Sequence, residues 1–228
     1  MKISLSFLNY KERKFTIFFT LIVLLELLTG SVKSLEIAHY LYKPAIVASL
    51  IVLVIKTGEH LNRFVKTLLL VALLFSLLGD IVLMFSSRSE WFFIGGLVAF
   101  LIAHLCYIVL FYKQRGTTFK NWPGTIGFFV YAMGLFYMLY PYLGEMLFPV
   151  LVYMMVILAM ASAALLRSQT SSLSYNLVLY GALCFLLSDS LLAINKFYIE
   201  FSGAHIAIML SYALAQYLIV IGLLKIKM

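Results

Sequence analysis

The sequence predicts an all-α, polytopic membrane protein with eight transmembrane helices, and three observations carry that prediction. Of the 228 residues, 64% are hydrophobic and only 11% charged, whereas a soluble domain is usually about half apolar. The apolar residues are gathered into runs at about 15–32, 41–56, 64–86, 91–112, 122–140, 145–166, 174–196 and 204–224. Each run approaches the roughly 20 residues that a helix needs to cross the hydrocarbon core. With eight spans, all of the 17 lysines and arginines except Lys33, Lys43, Arg88 and Lys196 fall on the side that carries both chain ends. Such a bias predicts that both termini are cytoplasmic.

In chain order, residues 1–14 form a basic cytoplasmic arm that ends in Lys11-Glu12-Arg13-Lys14, and residues 15–228 form a single eight-helix transmembrane domain. The first run follows a basic stretch as a signal peptide would, but Glu26 lies inside it and no small-residue cleavage site follows. The second run is the shortest, and Lys43-Pro44 is expected to open it, since proline suits the first turn of a helix. Trp91 and Trp122 stand at the starts of the fourth and fifth runs, where interfacial anchors belong. Cys106 and Cys184 sit within apolar runs and read as small packed residues, not as a disulfide or a metal pair. The net charge of +8 is accounted for by topology and attraction to anionic lipid, so no nucleic-acid partner is expected. A short chain with no targeting extension suits a bacterial cytoplasmic membrane.

The chemical signal lies in two aspartates within apolar runs, Asp80 in the third and Asp189 in the seventh. A carboxylate in hydrocarbon costs several kcal/mol unless it is protonated, paired or facing a wet cavity, which makes it a functional candidate. Both runs lead away from the basic side. At ~1.5 Å per residue the aspartates lie about 9 and 10 Å from the far ends of their helices. That common depth lets them face one cavity. The structural alternative is that each pairs with a Lys, a Tyr or a backbone group.

Around them, helical spacing puts Phe100, His104, Tyr107 and Phe111 on one face of the fourth run, and Tyr212 with Gln216 on one face of the eighth. Asn195 and Lys196 close the seventh run. Taken alone, His104 reads as a neutral imidazole hydrogen-bonded between helices, and Lys43 as a snorkelling lysine or a cation for a lipid phosphate. Asp80 and Tyr107 are 27 residues apart, as are Asp189 and Gln216, an echo of parallel four-helix repeats such as transporters show. His39, His60, His104 and His205 have no ligand-like spacing, so no metal site is expected. Gly-x-Ser-x-Gly and phosphate-loop motifs are absent, which disfavours a serine-nucleophile lipase. A proton-coupled lipid or small-solute transporter is the competing class, since it also needs buried aspartates.

Gly79-Asp80 with the following Leu83-Met84-Phe85, the stretch 99–107 with His104 and Tyr107, and the stretch 188–197 resemble the YhhN family of eight-helix membrane proteins. Lys43-Pro44 and Tyr212 with Gln216 also look like that family. Its characterised members are lysoplasmalogenases, so the resemblance implies hydrolysis of the vinyl ether bond of a lysoplasmalogen. The products are a fatty aldehyde and glycerophosphoethanolamine or glycerophosphocholine. Enol ether cleavage needs an acid for the β-carbon and a second group for the oxocarbenium ion or for water, a problem that glycosidases also meet with two carboxylates. In this reading Asp80 and Asp189 are the catalytic acid and base. His104, Tyr107, Tyr212 and Gln216 orient water or the glycerol hydroxyl, Lys43 holds the phosphate, and Asn195 completes the substrate site. The lysophospholipid substrate and membrane lipids are the expected partners, and the mechanism needs no cofactor. Head-group preference and oligomeric state stay open.

Overall fold

A computed structural model describes residues 8–116, 122–167 and 170–226. Residues 1–7 of the basic arm, together with Lys120 and Lys227 from the charge pattern, lie outside the described residues, as do the side chains of Lys33 and Trp122. Among the described residues there is no strand, and eight helices are long and apolar enough to cross a membrane. They are α1 (Tyr10–Ser31), α2 (Glu36–Thr57), α3 (Arg63–Leu83), α4 (Glu90–Tyr112), α5 (Trp122–Leu139), α6 (Leu147–Leu165), α7 (Ser172–Ala193) and α8 (Ala204–Leu224).

Every predicted run overlaps one of these helices, but α1 and α2 each start five residues earlier than the hydrophobic pattern suggests. Helix α1 begins at Tyr10 because Asn9 caps it. The Asn9 side chain accepts from the Glu12 N–H at 2.8 Å, and the Glu12 carboxylate accepts in turn from the Asn9 N–H at 2.8 Å. This reciprocal box satisfies two amides that a helix start leaves open. Lys11, Arg13 and Lys14 thus stand at the start of α1, which takes in the end of the basic arm. Glu12 also pairs with Lys225 at 2.6 Å, and His60 Nε2 meets the Leu224 carbonyl at 2.9 Å. The start of α1, the turn after α2 and the end of α8 therefore share one side.

Helix α2 begins at Glu36, so Pro44 falls inside it instead of opening it. A proline there gives the Tyr40 carbonyl no i→i−4 amide. Membrane helices tolerate such a break when neighbours support the freed backbone. The consequence is that Lys43 sits well inside α2, on the side opposite the chain ends.

Helix α8 is the most enclosed of the eight and α5 the least. The central helix packs against α7, α1 and α2, while α5 leans on α6 alone among its larger contacts. Two pairs come especially close, and glycines permit it. A methyl at Gly79 would lie 2.6 Å from the Phe100 ring, and one at Gly96 2.5 Å from Leu83, which locks α3 to α4. Gly181 and Gly222 do the same for α7 and α8, where the nearest backbone atoms stand 3.0 Å away. The α5 glycines Gly127 and Gly134 face open space. Large apolar side chains such as Phe18, Met133 and Phe148 are exposed on the outer surface, as lipid-facing residues are.

Candidate active site

Asp80 and Asp189 lie in the last turn or so of α3 and α7, at the end of the bundle away from the chain termini. Both line one cavity of about 240 Å³. Its wall also contains Lys43 from α2, Tyr212 from α8, Tyr153 from α6, and Asn195 and Lys196 from the end of the seventh span. Phe93, Leu97, Phe100, Leu192 and Met209 complete an apolar lining. One chamber therefore draws side chains from α2, α3, α4, α6, α7 and α8.

Local structure explains how Asn195 and Lys196 reach it. Past Ala193 the helix widens into a π turn over Ile194–Tyr198. Single π turns recur at functional sites because the extra residue redirects side chains. The Asn195 oxygen accepts from the Phe201 N–H at 3.3 Å, which holds the following loop, and Lys196 Nζ lies 5.4 Å from the Phe93 ring centroid.

Each carboxylate has a phenol. Tyr212 donates to Asp80 Oδ2 at 2.8 Å, and Tyr153 donates to Asp189 Oδ2 at 2.6 Å. Hydrogen bonds to an ionised acceptor are short and about twice as strong as neutral ones. The Tyr212 ring stands edge-on to Phe100 and Phe185, with centroids 5.7 and 5.5 Å away, so its hydroxyl is aimed by packing. Behind Tyr212, Gln216 donates to the phenol oxygen at 3.4 Å and accepts from Tyr107 at 2.9 Å. Tyr107 and Gln216 are buried in this relay and do not form the cavity wall. They reach the cavity only through Tyr212.

His104 differs from its expected role. It is fully buried, its ring 4.6 Å from Phe185 and 5.5 Å from Tyr153, and neither nitrogen has a hydrogen-bond partner among the described residues. The interhelical hydrogen bond expected from the sequence is replaced by ring packing that backs Tyr153. The bonds to the two aspartates also break the suggested repeat. If α3 and α4 matched α7 and α8, the bond from α8 to Asp80 would be mirrored by one from α4 to Asp189; the donor is on α6.

Tyr153 escaped sequence reasoning because it is the lone phenol in a helix whose other polar side chain is Ser162, with no polar residue at i±3 or i±4 to mark a face. A second omission concerns histidine. His39 and His205, which show no ligand-like spacing, meet Glu26 in space with one atom from each within 4.8 Å of the others. This group stands on α1, α2 and α8, near the same end of the bundle.

Fold and cavity together define a multi-pass helical membrane protein built around two intramembrane carboxylates. The chain belongs to the YhhN family, whose profile matches residues 38–223. Lysoplasmalogenases of Mycobacterium bovis and Mycobacterium tuberculosis are each 33% identical to it over 190 residues, which is 81% of this chain and 71% of theirs. The human lysoplasmalogenase TMEM86B is 32% identical over 162 residues, 68% of this chain and 62% of its own. No solved structure matches the chain significantly.

Proposed function

We propose that this protein is a lysoplasmalogenase that hydrolyses the vinyl ether bond of a lysoplasmalogen with Asp80 and Asp189 as its acid and base. The observation that carries the proposal is the single cavity with both aspartates in its wall, each held by its own tyrosine. The names of the relatives supply the substrate class. The basic-side bias supports an orientation in which this cavity belongs to the outer half of a bacterial cytoplasmic membrane.

The environments support an assignment of roles. Asp189 and Tyr153 also line a small apolar cleft of about 40 Å³, with Ala132, Leu135, Val150 and Leu158 from α5 and α6. An alkenyl tail approaching through this cleft brings the β-carbon, the tail-side carbon of the double bond, to Asp189. The glycerol and phosphate then lie toward Lys43, which lines the cavity with Asp80.

Protonated Asp189 delivers its proton to the β-carbon, and the electron pair of the double bond forms the new C–H bond. Positive charge develops on the α-carbon and the ether oxygen. Asp80 as carboxylate stabilises that oxocarbenium ion, then takes a proton from the water that attacks the α-carbon. The product is a hemiacetal. In its collapse Asp80 returns a proton to the departing glycerol oxygen, the C–O bond breaks, and the hemiacetal hydroxyl proton passes to Asp189. Both carboxyl groups regain their starting states, one water is consumed, and aldehyde and glycerophospho-base leave. Tyr212 and Tyr153 fix the carboxyl groups, Lys43 and Lys196 hold the phosphate, and Asn195 orients the glycerol.

The test is aldehyde release from lysoplasmenylethanolamine by the purified protein, beside Asp80→Asn and Asp189→Asn of equal thermal stability. Turnover by the wild type that is lost in both variants is the expected result. Full activity in either variant removes that residue from the mechanism. A folded wild type that moves the lipid across vesicles and releases no aldehyde replaces the hydrolase with the transporter class.

A further inference from the structure

Outside the aspartate cavity, the bundle holds a second group of polar side chains that no step above uses. Glu26 on α1 is fully buried, and its Oε1 lies 3.3 Å from His39 Nδ1 on α2 and 3.3 Å from His205 Nε2 on α8. These approaches are close enough for ion pairing but miss hydrogen-bond direction. Both Glu26 oxygens, His39 Nδ1 and His205 Nε2 thus have no hydrogen-bond partner among the described residues. Four buried polar atoms left this way would be costly if nothing else bound them.

The spacing has a second meaning. Around a tetrahedral centre with bonds of about 2.0–2.1 Å, neighbouring ligand atoms are about 3.3–3.4 Å apart. Both Glu–His separations match that edge, and all three ligand atoms fall within 4.8 Å of one another. Gly30, one turn beyond Glu26 on the same face of α1, makes the room. A methyl there would collide with the His205 ring and come within 3.0 Å of His39 Nδ1. Gly30 and His205 also line an open groove of about 510 Å³, which gives an ion and a completing water a way in.

We propose that Glu26, His39 and His205 form a binding site for a divalent transition metal, with zinc the ion that this ligand set and geometry suit best. Two imidazoles and a carboxylate favour zinc-class ions over magnesium or calcium, which prefer all-oxygen shells. The ion clamps α1 to α2 and α8. His39 is one turn from Lys43 on α2, and His205 is two turns from Tyr212 on α8, so the clamp also steadies the rim of the aspartate cavity. This inference stands whether or not the chain is a hydrolase. Glu26 lies outside residues 38–223, the part that matches the family, while His39 and His205 lie within it.

The experiment is a cobalt(II) titration of tag-free, chelator-treated protein in detergent, read by ligand-field absorption. Zinc content and zinc-edge X-ray absorption are measured on the untreated wild type. Expected are an intense tetrahedral cobalt spectrum saturating at a single equivalent, zinc in the same ratio, and a shell of two imidazoles with oxygen at about 2.0–2.1 Å. Glu26→Gln and His39→Ala should weaken binding by more than the roughly 10–100-fold typical of a lost outer-shell partner. Gly30→Ala should weaken it too, and Glu59→Gln, an exposed acid at the other end of the bundle, should titrate like wild type. A wild type without cobalt spectrum or zinc overturns the proposal. So does cobalt binding that Glu26→Gln and His39→Ala leave unchanged, or a zinc shell without imidazole. The absorption measurements need no variant, so a variant that fails to fold does not blunt the test.

Discussion

Asp80 and Asp189 share a cavity but are held in different ways. Asp80 is almost completely buried, and its tyrosine is the end of a chain that runs back through Gln216 to Tyr107. Asp189 is less enclosed, and its tyrosine packs against the His104 ring, which packs in turn against Phe185. A hydrogen-bonded relay fixes both position and polarity at Asp80, whereas apolar packing at Asp189 fixes position alone. Asp80 shares its cavity with Lys43, and Asp189 also lines the small apolar cleft against α5 and α6.

The largest effects should come from the carboxylates themselves. General acid–base groups contribute roughly 10²–10⁴-fold, so Asp80→Asn and Asp189→Asn should each lower kcat by that order without lowering thermal stability. A much smaller loss at one of them would break the symmetry of the proposed cycle. Next come the phenols. A hydrogen bond to a charged group contributes about 1.5–3 kcal/mol, so Tyr212→Phe and Tyr153→Phe should each lower kcat roughly 10- to 150-fold.

The relay sharpens the contrast. Tyr107→Phe removes one neutral hydrogen bond, of about 0.5–1.5 kcal/mol, and should lower kcat a few-fold in the wild type. In an Asp80→Asn background it should change little, because its influence passes only through Tyr212 to Asp80. A Tyr107→Phe effect that persists undiminished in that background would show that the relay is not its route. His104→Leu, which changes ring packing against Tyr153 and Phe185, should act on stability more than on kcat.

Glycines give the smallest and cleanest comparison. Gly79→Ala forces a methyl into the Phe100 ring and should cost about 1–3 kcal/mol, read as a lower melting temperature in detergent. Gly127→Ala meets nothing within 4 Å and should be neutral or stabilising by up to about 1 kcal/mol.

How much of this was legible follows from what helical periodicity can carry. Eight apolar runs locate eight helices because membrane span length is a property of each segment alone. Asp80 and Asp189 were visible as charges where hydrocarbon disfavours them, Tyr212 through its spacing with Gln216, and Lys43 and Asn195 as polar residues at the ends of runs; all five line the cavity. Capping at Asn9 and the interior position of Pro44 were not visible in hydropathy, since a cap is a matter of hydrogen bonds and a charged first turn looks like a tail. Tyr107 and Gln216 were seen as polar but not as a second layer, because spacing along one helix does not say what lies between two. Tyr153 had no partner on its own helix. Glu26, His39 and His205 come from three helices, and their meeting is a fact of packing with no trace in local spacing.

The most direct measurement of the central claim is the mass of the aldehyde released in deuterium oxide. Protonation of the β-carbon by an exchangeable carboxyl group predicts one deuterium on the carbon next to the carbonyl, beyond any slow exchange seen with authentic aldehyde. The label should appear in the wild-type product at a rate that falls with Asp80→Asn and Asp189→Asn. Aldehyde formed without that deuterium would mean that the double bond is not opened by proton transfer, and the carboxylate-pair mechanism would be contradicted.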